Sequence, residues 1–537
     1  MRFKTILLLF IAMVFLSGSC VSKPEIEKPN IIFILADDMG FGDLACYDNP
    51  YIETPVIDKL ARQGIKLTNC YASSSLCSSA RGSVFTGRYN HRTGAIDVSS
   101  NRGIDRIALS EKTIGDYFKN AGYKTALIGK WQNGMYNNAY LPKNRGFDLF
   151  YGFANGHQDL RDWNLMRNGI NEKSDGNYLP DVISQESVRF IEENKNSPFF
   201  LLISQVSPHN AGQVPDSLIR KYELKTDGSF SEDVVRLYAM IEAMDTGLGW
   251  IIEKLDELNL TQKTIIVFTS DHGGNMSGKF DRFKADLAGG NGEVLEEGIK
   301  VPGIVVWPGK IKPGIKLDAP VTGTDWLPTL FSLTEGVAPE NALPLDGINL
   351  MPVFLQEKAM TMSDRILYFQ KNRYTPVAHS NAAIRAGKWK LYWPGVPETM
   401  KKDSRDNISL NRGKTNEHWE MPIDYILPAY ENIVSGQALL FNLDEDPYEK
   451  QDVSAIHPIV VDSLSDIYDK WFESVNIDWK QSFSEILEFD KVYWKDREIP
   501  DPRALFRDYW NWGSVKADPA VTDPCEVFRG YWDYSWK

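Results

Sequence analysis

Cysteine is scarce: five in 537 residues, too few for a disulfide framework. Positive charge is also in deficit, with Lys+Arg 59 against Asp+Glu 72 and a net charge of −13. The chain therefore lacks the dense basic face that nonspecific nucleic-acid binding requires, and nucleic acid is not an expected partner. A local cluster of cations can still bind an anionic ligand against that total. After residue 20 no apolar run approaches the ~20 residues of a bilayer-spanning helix, and neither internal repeats nor low-complexity segments occur. What is present is an ordinary globular balance, 43% hydrophobic and 24% charged, which excludes a disordered, collagen-like or coiled-coil architecture.

Arg2 and Lys4, the apolar run Ile6–Leu16 and the small residues Ser17-Gly18-Ser19 describe an export signal over residues 1–20. The small residues before Cys20 resemble a lipobox, with Ser17 where leucine is usual. Simple cleavage and lipid attachment at Cys20 both stay open, giving a periplasmic protein or an outer-membrane-anchored lipoprotein. Membrane contact is expected only through that lipid.

Ile31–Leu35, Thr125–Ile128, Phe199–Val206, Thr264–Phe268 and Gly303–Trp307 are apolar runs of strand length. Continuous hydrophobicity marks strands buried on both faces, and the segments between them, such as Pro55–Gln63 and Asp233–Leu258, carry helical spacing. The alternation predicts a doubly wound, mainly parallel α/β sheet flanked by helices over residues 29–355. Arg365–Gln370, Ala383–Arg385 and Trp389–Trp393 read as short strands and Asp462–Ser474 as a helix, giving a smaller α+β subdomain with an antiparallel sheet over 356–490. Residues 491–537 are an aromatic-rich tail expected to pack on the core or to offer sugar-stacking rings at a cleft mouth. In such a sheet ligands bind beyond the carboxyl ends of the strands. There the sequence places Asp37-Asp38, Lys130-Trp131, Ser207-Pro208-His209 and Asp271-His272, as one site would require.

Residues 76–87 read Leu-Cys-Ser-Ser-Ala-Arg-Gly-Ser-Val-Phe-Thr-Gly. Cys77 and Arg81 share a helix face, and a helix starting here aims free N–H groups at an anion; alone, the segment reads equally as a buried structural cysteine. In context it resembles the signature of the type I sulfatases of the alkaline phosphatase superfamily, in which such a cysteine is oxidised to formylglycine. Asn30–Gly40, Glu53–Ala61, Gly129-Lys130-Trp131, Arg145–Asp148, Ser270–Gly273, Val301-Pro302-Gly303, Asp325–Thr329, Leu345-Asp346-Gly347, Arg385–Leu391 and Leu443–Glu449 look like the same family in its order. The resemblance spans roughly residues 29–455.

It implies an exported sulfatase that hydrolyses a sulfate ester on a carbohydrate, matured by a formylglycine-generating enzyme. Cys77, once converted, is the nucleophile whose hydrated aldehyde attacks sulfur. Arg81 holds that group, Lys130 neutralises a sulfate oxygen and His209 donates a proton to the leaving oxygen. Asp37, Asp38 and Asp271 would repel one another without a cation; with His272 and residue 77 they are the implied metal ligands, calcium being favoured over magnesium. His157, Gln132 and Asn291 are candidate substrate contacts, whereas His91 reads better as a structural histidine.

Three departures stand out. Gln132 replaces a family histidine, Asn291 in Gly289-Gly290-Asn291-Gly292 replaces a family lysine, and Ser79 replaces the usual Pro or Ala of the maturation signature. Lys279, Arg282 or Lys284 is a candidate to compensate for the missing cations. Two other functions remain open: a non-catalytic binder of sulfated glycans, and a phosphodiester or phosphonate ester hydrolase on the same scaffold. Cys46 and Cys70 are expected to pair after export.

Overall fold

A computed structural model describes residues 28–494 except 100–101, 136, 210–211, 275–280, 362, 364, 404–426, 429 and 431–432. The export signal with Cys20, the tail beyond residue 494 and Lys279 lie outside the described residues. Among the described residues no helix is long and apolar enough to cross a membrane.

The strands are β1 (Asn30–Asp37), β2 (Ile65–Leu67), β3 (Cys70–Tyr71), β4 (Lys124–Lys130), β5 (Leu149–Phe153), β6 (Asn164–Arg167), β7 (Ile170–Lys173) and β8 (Phe199–Pro208). They continue with β9 (Thr264–Ser270), β10 (Gly303–Val306), β11 (Ile315–Leu317), β12 (Val321–Thr322), β13 (Ile366–Gln370), β14 (Ala382–Ala386), β15 (Trp389–Trp393) and β16 (Leu439–Asn442). Ten form one sheet in the order β11-β2-β10-β9-β1-β8-β4-β5-β6-β7. Its centre, β9-β1-β8-β4-β5, is parallel throughout. Along β1, Ile32, Ile34 and Ala36 enter one core while Ile31, Phe33 and Leu35 enter the other. This alternation of apolar side chains on both faces is what the unbroken hydrophobic run encodes.

β10 differs from expectation. It runs antiparallel to both β9 and β2, because a short, fully buried apolar strand carries no directional signal. The β5–β6–β7 meander at the far edge was not legible in the sequence.

The small sheet, β13-β14-β15-β16, is antiparallel throughout. The helix Pro458–Trp494 packs on it, longer at both ends than the expected Asp462–Ser474. Leu464, Tyr468, Trp471 and Val475 recur at helical spacing against Ile384, Leu391 and Trp393. The two sheets are joined by buried charge. Lys390 of β15 lies 3.0 Å from Glu296 and 2.6 Å from Glu449, and Glu296 N–H donates to Glu449 at 2.7 Å.

Cys46, Cys70 and Cys77 are all free. The expected Cys46–Cys70 bond does not form because the two side chains face different partners. Cys70 turns to Thr269, 3.9 Å away, while Cys46 sits in the turn Ala45–Tyr47, whose backbone is tied to Asp58.

Candidate active site

Four neighbouring parallel strands, β9, β1, β8 and β4, end side by side. Their last residues or the next ones are Asp271, Asp37 and Asp38, His209, and Lys130. The sheet order therefore turns four distant motifs into one row, at the edge where a parallel sheet presents ligand sites. Above this edge begins the helix Cys77–Thr86, every residue of which is buried. Its unpaired N-terminal N–H groups and dipole favour negative charge beside Cys77.

Arg81 lies at the centre. Its guanidinium donates to Asp37 at 2.9 Å, Asp271 at 3.0 Å and Ser204 Oγ at 2.6 Å. Lys130 Nζ donates to both oxygens of Asp37. Burial pushes Asp37 upward, but Lys130 and then Arg81 outweigh it and hold the carboxyl well below the usual range. Ser204, absent from the residues anticipated in the sequence, also donates to Lys130 O at 2.5 Å. Its signal was a hydroxyl interrupting the apolar run Phe199–Ile203. Gly129 makes this approach close: its φ is +110°, and a Cβ there would lie 1.9 Å from Ser204 O.

Asp38, Cys77, Asp271 and His272 are all buried and offer ligand atoms within 4.8 Å of one another. His272 Nε2 lies 3.0 Å from Asp38 Oδ1 and 3.1 Å from Cys77 Sγ. Its Nδ1 is 2.9 Å from Gly273 O, which can only accept, so Nδ1 carries a proton. Nε2 then faces a carboxylate either as a second N–H or as a lone pair aimed at a cation; the second arrangement is the usual one for a metal-binding imidazole. Burial works against charge on His272, but Asp271, Cys77 and Asp38 raise it well above the ordinary histidine value. Asp38 is pushed up by burial and pulled below its usual range by His209 and His272. Asp271 is raised by burial, which outweighs His272 and Arg81. Two carboxylates and an imidazole crowded out of solvent fit a divalent cation.

Of the five anticipated metal ligands these are four; Asp37 faces Lys130 and Arg81. Burial raises the Cys77 thiol, and 6% of that residue reaches solvent. His209 lies at the mouth with Nε2 3.9 Å from Asp38 Oδ2, and its ring centroid is 5.5 Å from that of His157. Burial, then His209 and Lys130, lower His157 to about 3, so it is neutral at pH 7. Gln132 is buried over Gly156, beside His157, and its Oε1 has no hydrogen-bond partner among the described residues. Asn291 N–H donates to Gly274 O at 3.0 Å, which places its loop two residues beyond His272. Arg282 does not replace a missing cation, because Asp43 holds its guanidinium at 2.6 Å. Lys284 is among the charges acting on Glu293 and Glu297. His91 is buried against Trp471, as a structural histidine would be.

The family profile described as Sulfatase matches residues 29–337. Arylsulfatase H of Canis lupus familiaris is 28% identical, with 82% of this chain and 89% of that protein covered. The N-acetylgalactosamine-6-O-sulfatase of Bacteroides thetaiotaomicron is also 28% identical, covering 82% and 92% respectively. The crystal structure of Ps i-CgsB in complex with k-i-k-neocarrahexaose superposes with a TM-score of 0.68 at 26% identity, covering 87% of this chain and 100% of that one.

Proposed function

The chain belongs to the sulfatase family and is a sulfuric ester hydrolase, and on that premise we propose that it removes a sulfate ester from a carbohydrate after conversion of Cys77 to formylglycine. The observation that carries this reading is the convergence of Asp38, Asp271, His272, Arg81 and Lys130 around Cys77. The carbohydrate is supported by one relative named for N-acetylgalactosamine 6-O-sulfate and by a superposed structure holding a neocarrahexaose.

Converted residue 77 supplies a twin-hydroxyl carbon as nucleophile, which a thiol does not. Asp38, Asp271 and His272 would hold a divalent cation, calcium before magnesium, whose charge would offset the carboxylates and polarise a sulfate oxygen. Around these groups the chain's own residues do the rest. Arg81 fixes Asp37 and Asp271 relative to position 77, and Lys130 adds positive potential where the sulfate's negative charge grows. His209, at the mouth, protonates the departing sugar oxygen. Neutral His157 and the free carbonyl of Gln132 contact sugar hydroxyls, with the Asn291 loop closing the opposite side. Export by residues 1–20, with either cleavage or lipid attachment at Cys20, belongs to the same reading.

The test is coexpression with a formylglycine-generating enzyme, mass spectrometry of the peptide carrying residue 77, and sulfate release from a panel of sulfated sugars. Thiol-to-aldehyde conversion with release that Cys77→Ala abolishes is expected. An unmodified thiol with no release overturns the reading. Sugar binding without turnover would instead indicate a glycan binder, and equal rates on phosphate and sulfate esters a broader ester hydrolase.

A further inference from the structure

Lys371 directly follows β13, on the loop to β14, and only 4% of it reaches solvent. Among the described residues no acceptor lies within hydrogen-bonding distance of its ammonium and no carboxylate within ion-pair distance. The charges it feels are Arg373 and Asp97. The arginines nearby have acids of their own: Arg373 is 3.6 Å from Asp97, and Arg102 is 3.7 Å from Asp403. Among the described residues Lys371 is the cation in surplus. Burial, and then Arg373, lower it to about 7. A cation with so little water around it and no counter-ion among the described residues is costly to hold, and an arriving anion would relieve that cost.

Its position is tied to the site from two sides. Asn381 grips the Lys371 backbone: its main-chain carbonyl accepts the Lys371 N–H at 3.1 Å, and its side-chain amide donates to the Lys371 carbonyl at 2.8 Å. The same side chain donates to Gly292 O at 2.7 Å, and Gly292 N–H donates to Ser75 O at 2.9 Å. Ser74 Oγ donates to Gln370 O at 3.3 Å. Lys371 thus stands against the segment that leads into Cys77 and beside the loop in which Asn291 occupies a family lysine position. On the other side, Asp97 belongs to a loop that returns at Asp105 to Ser78, next to Cys77. The hydrogen-bonded links from Lys371 to the segment before Cys77 run through Gln370, Asn381 and Gly292 and not through its own ammonium, which sets it back from the reacting sulfate.

The geometry points to Lys371 as the recognition group for a second oxyanion on the sugar, a further sulfate ester or a carboxylate, beyond the sulfate that is cleaved. The substrate class becomes a sulfated sugar with another anionic substituent; this inference rests on the carbohydrate sulfatase reading.

The test uses the full mature chain and disaccharides that share one sulfate and carry a second sulfate, a carboxylate or neither. Calorimetric affinities are measured in a Cys77→Ala background, so that binding does not depend on turnover, with sulfate release by the Cys77 proteins in parallel. The doubly anionic sugars are expected to bind roughly tenfold to a hundredfold more tightly, the range of one charge-assisted hydrogen bond. Lys371→Met removes most of that margin and Lys371→Arg restores it; whether the sulfate or the carboxylate arm shows the margin identifies the anion. No margin in the parent protein, a margin retained by Lys371→Met, or equal losses on all three sugars overturns the inference. Sulfate release without a Lys371-dependent margin leaves the sulfatase reading intact, and Lys371-dependent binding without release does the reverse.

Discussion

Lys130 Nζ lies 2.8 Å from each oxygen of Asp37, and both side chains are sealed from solvent. Removing Lys130 leaves a buried carboxylate with Arg81 as its remaining ion pair among the described residues, and breaking a buried pair in this way costs about 3–5 kcal/mol. Lys130→Met should lower unfolding free energy by that amount in urea titrations and abolish sulfate release. A loss below about 1 kcal/mol would show that water reaches Asp37.

The His272 imidazole has one nitrogen committed to Gly273 O and the other turned to Asp38 and Cys77. A cation bound there stabilises the folded chain by mass action. Chelation with EGTA should lower Tm and stop sulfate release, with calcium restoring both more fully than magnesium. In His272→Ala, Tm should depend much less on added calcium. An unchanged Tm and rate after exhaustive chelation would remove the metal from the mechanism.

His91 bears on acid stability rather than catalysis. Burial lowers it from 6.5 to about 3, so between those values the unfolded chain binds a proton that the folded chain refuses. Its contribution is fully present above pH 6.5 and is lost as the pH falls toward 3, at ~1.4 kcal/mol per unit. Between pH 7 and pH 4.5, His91→Gln should gain about 2–3 kcal/mol relative to the parent. Parallel pH profiles for the two proteins would contradict this.

Gly129 combines a φ of +110° with a backbone oxygen 1.9 Å from where a Cβ would stand. Gly129→Ala must either strain the chain or push β4 from β8, at about 2–5 kcal/mol. Because Lys130 is the next residue, activity should fall along with thermal stability. Wild-type Tm with wild-type turnover is the outcome that excludes this account.

Much of the site could be read from strand ends. Asp37, Asp38, Lys130, His209, Asp271 and His272 each follow an apolar run, and parallel pairing brings such ends together whatever their separation in sequence. What sequence could not supply was direction and tertiary neighbourhood. β10 is as apolar as its parallel neighbours but runs the other way. Lys371 is one lysine among many until Asn381 ties its loop to Gly292. The Cys46–Cys70 expectation failed for the same reason, since it rested on export and not on which way either side chain faces. Arg282 likewise looked available until Asp43 claimed it.

The ammonium of Lys390, clasped by Glu296 and Glu449, sets the smallest piece of this protein that can be inherited or engineered intact. Glu296 lies just before β10 of the large sheet, whereas Lys390 and Glu449 come from the side of the small one. Trimming away the second sheet would strip Glu296 of Lys390 and leave it, among the described residues, only Tyr71 Oη at 2.9 Å and Lys300 at 3.8 Å, so shuffled or minimised versions should keep both sheets or keep neither.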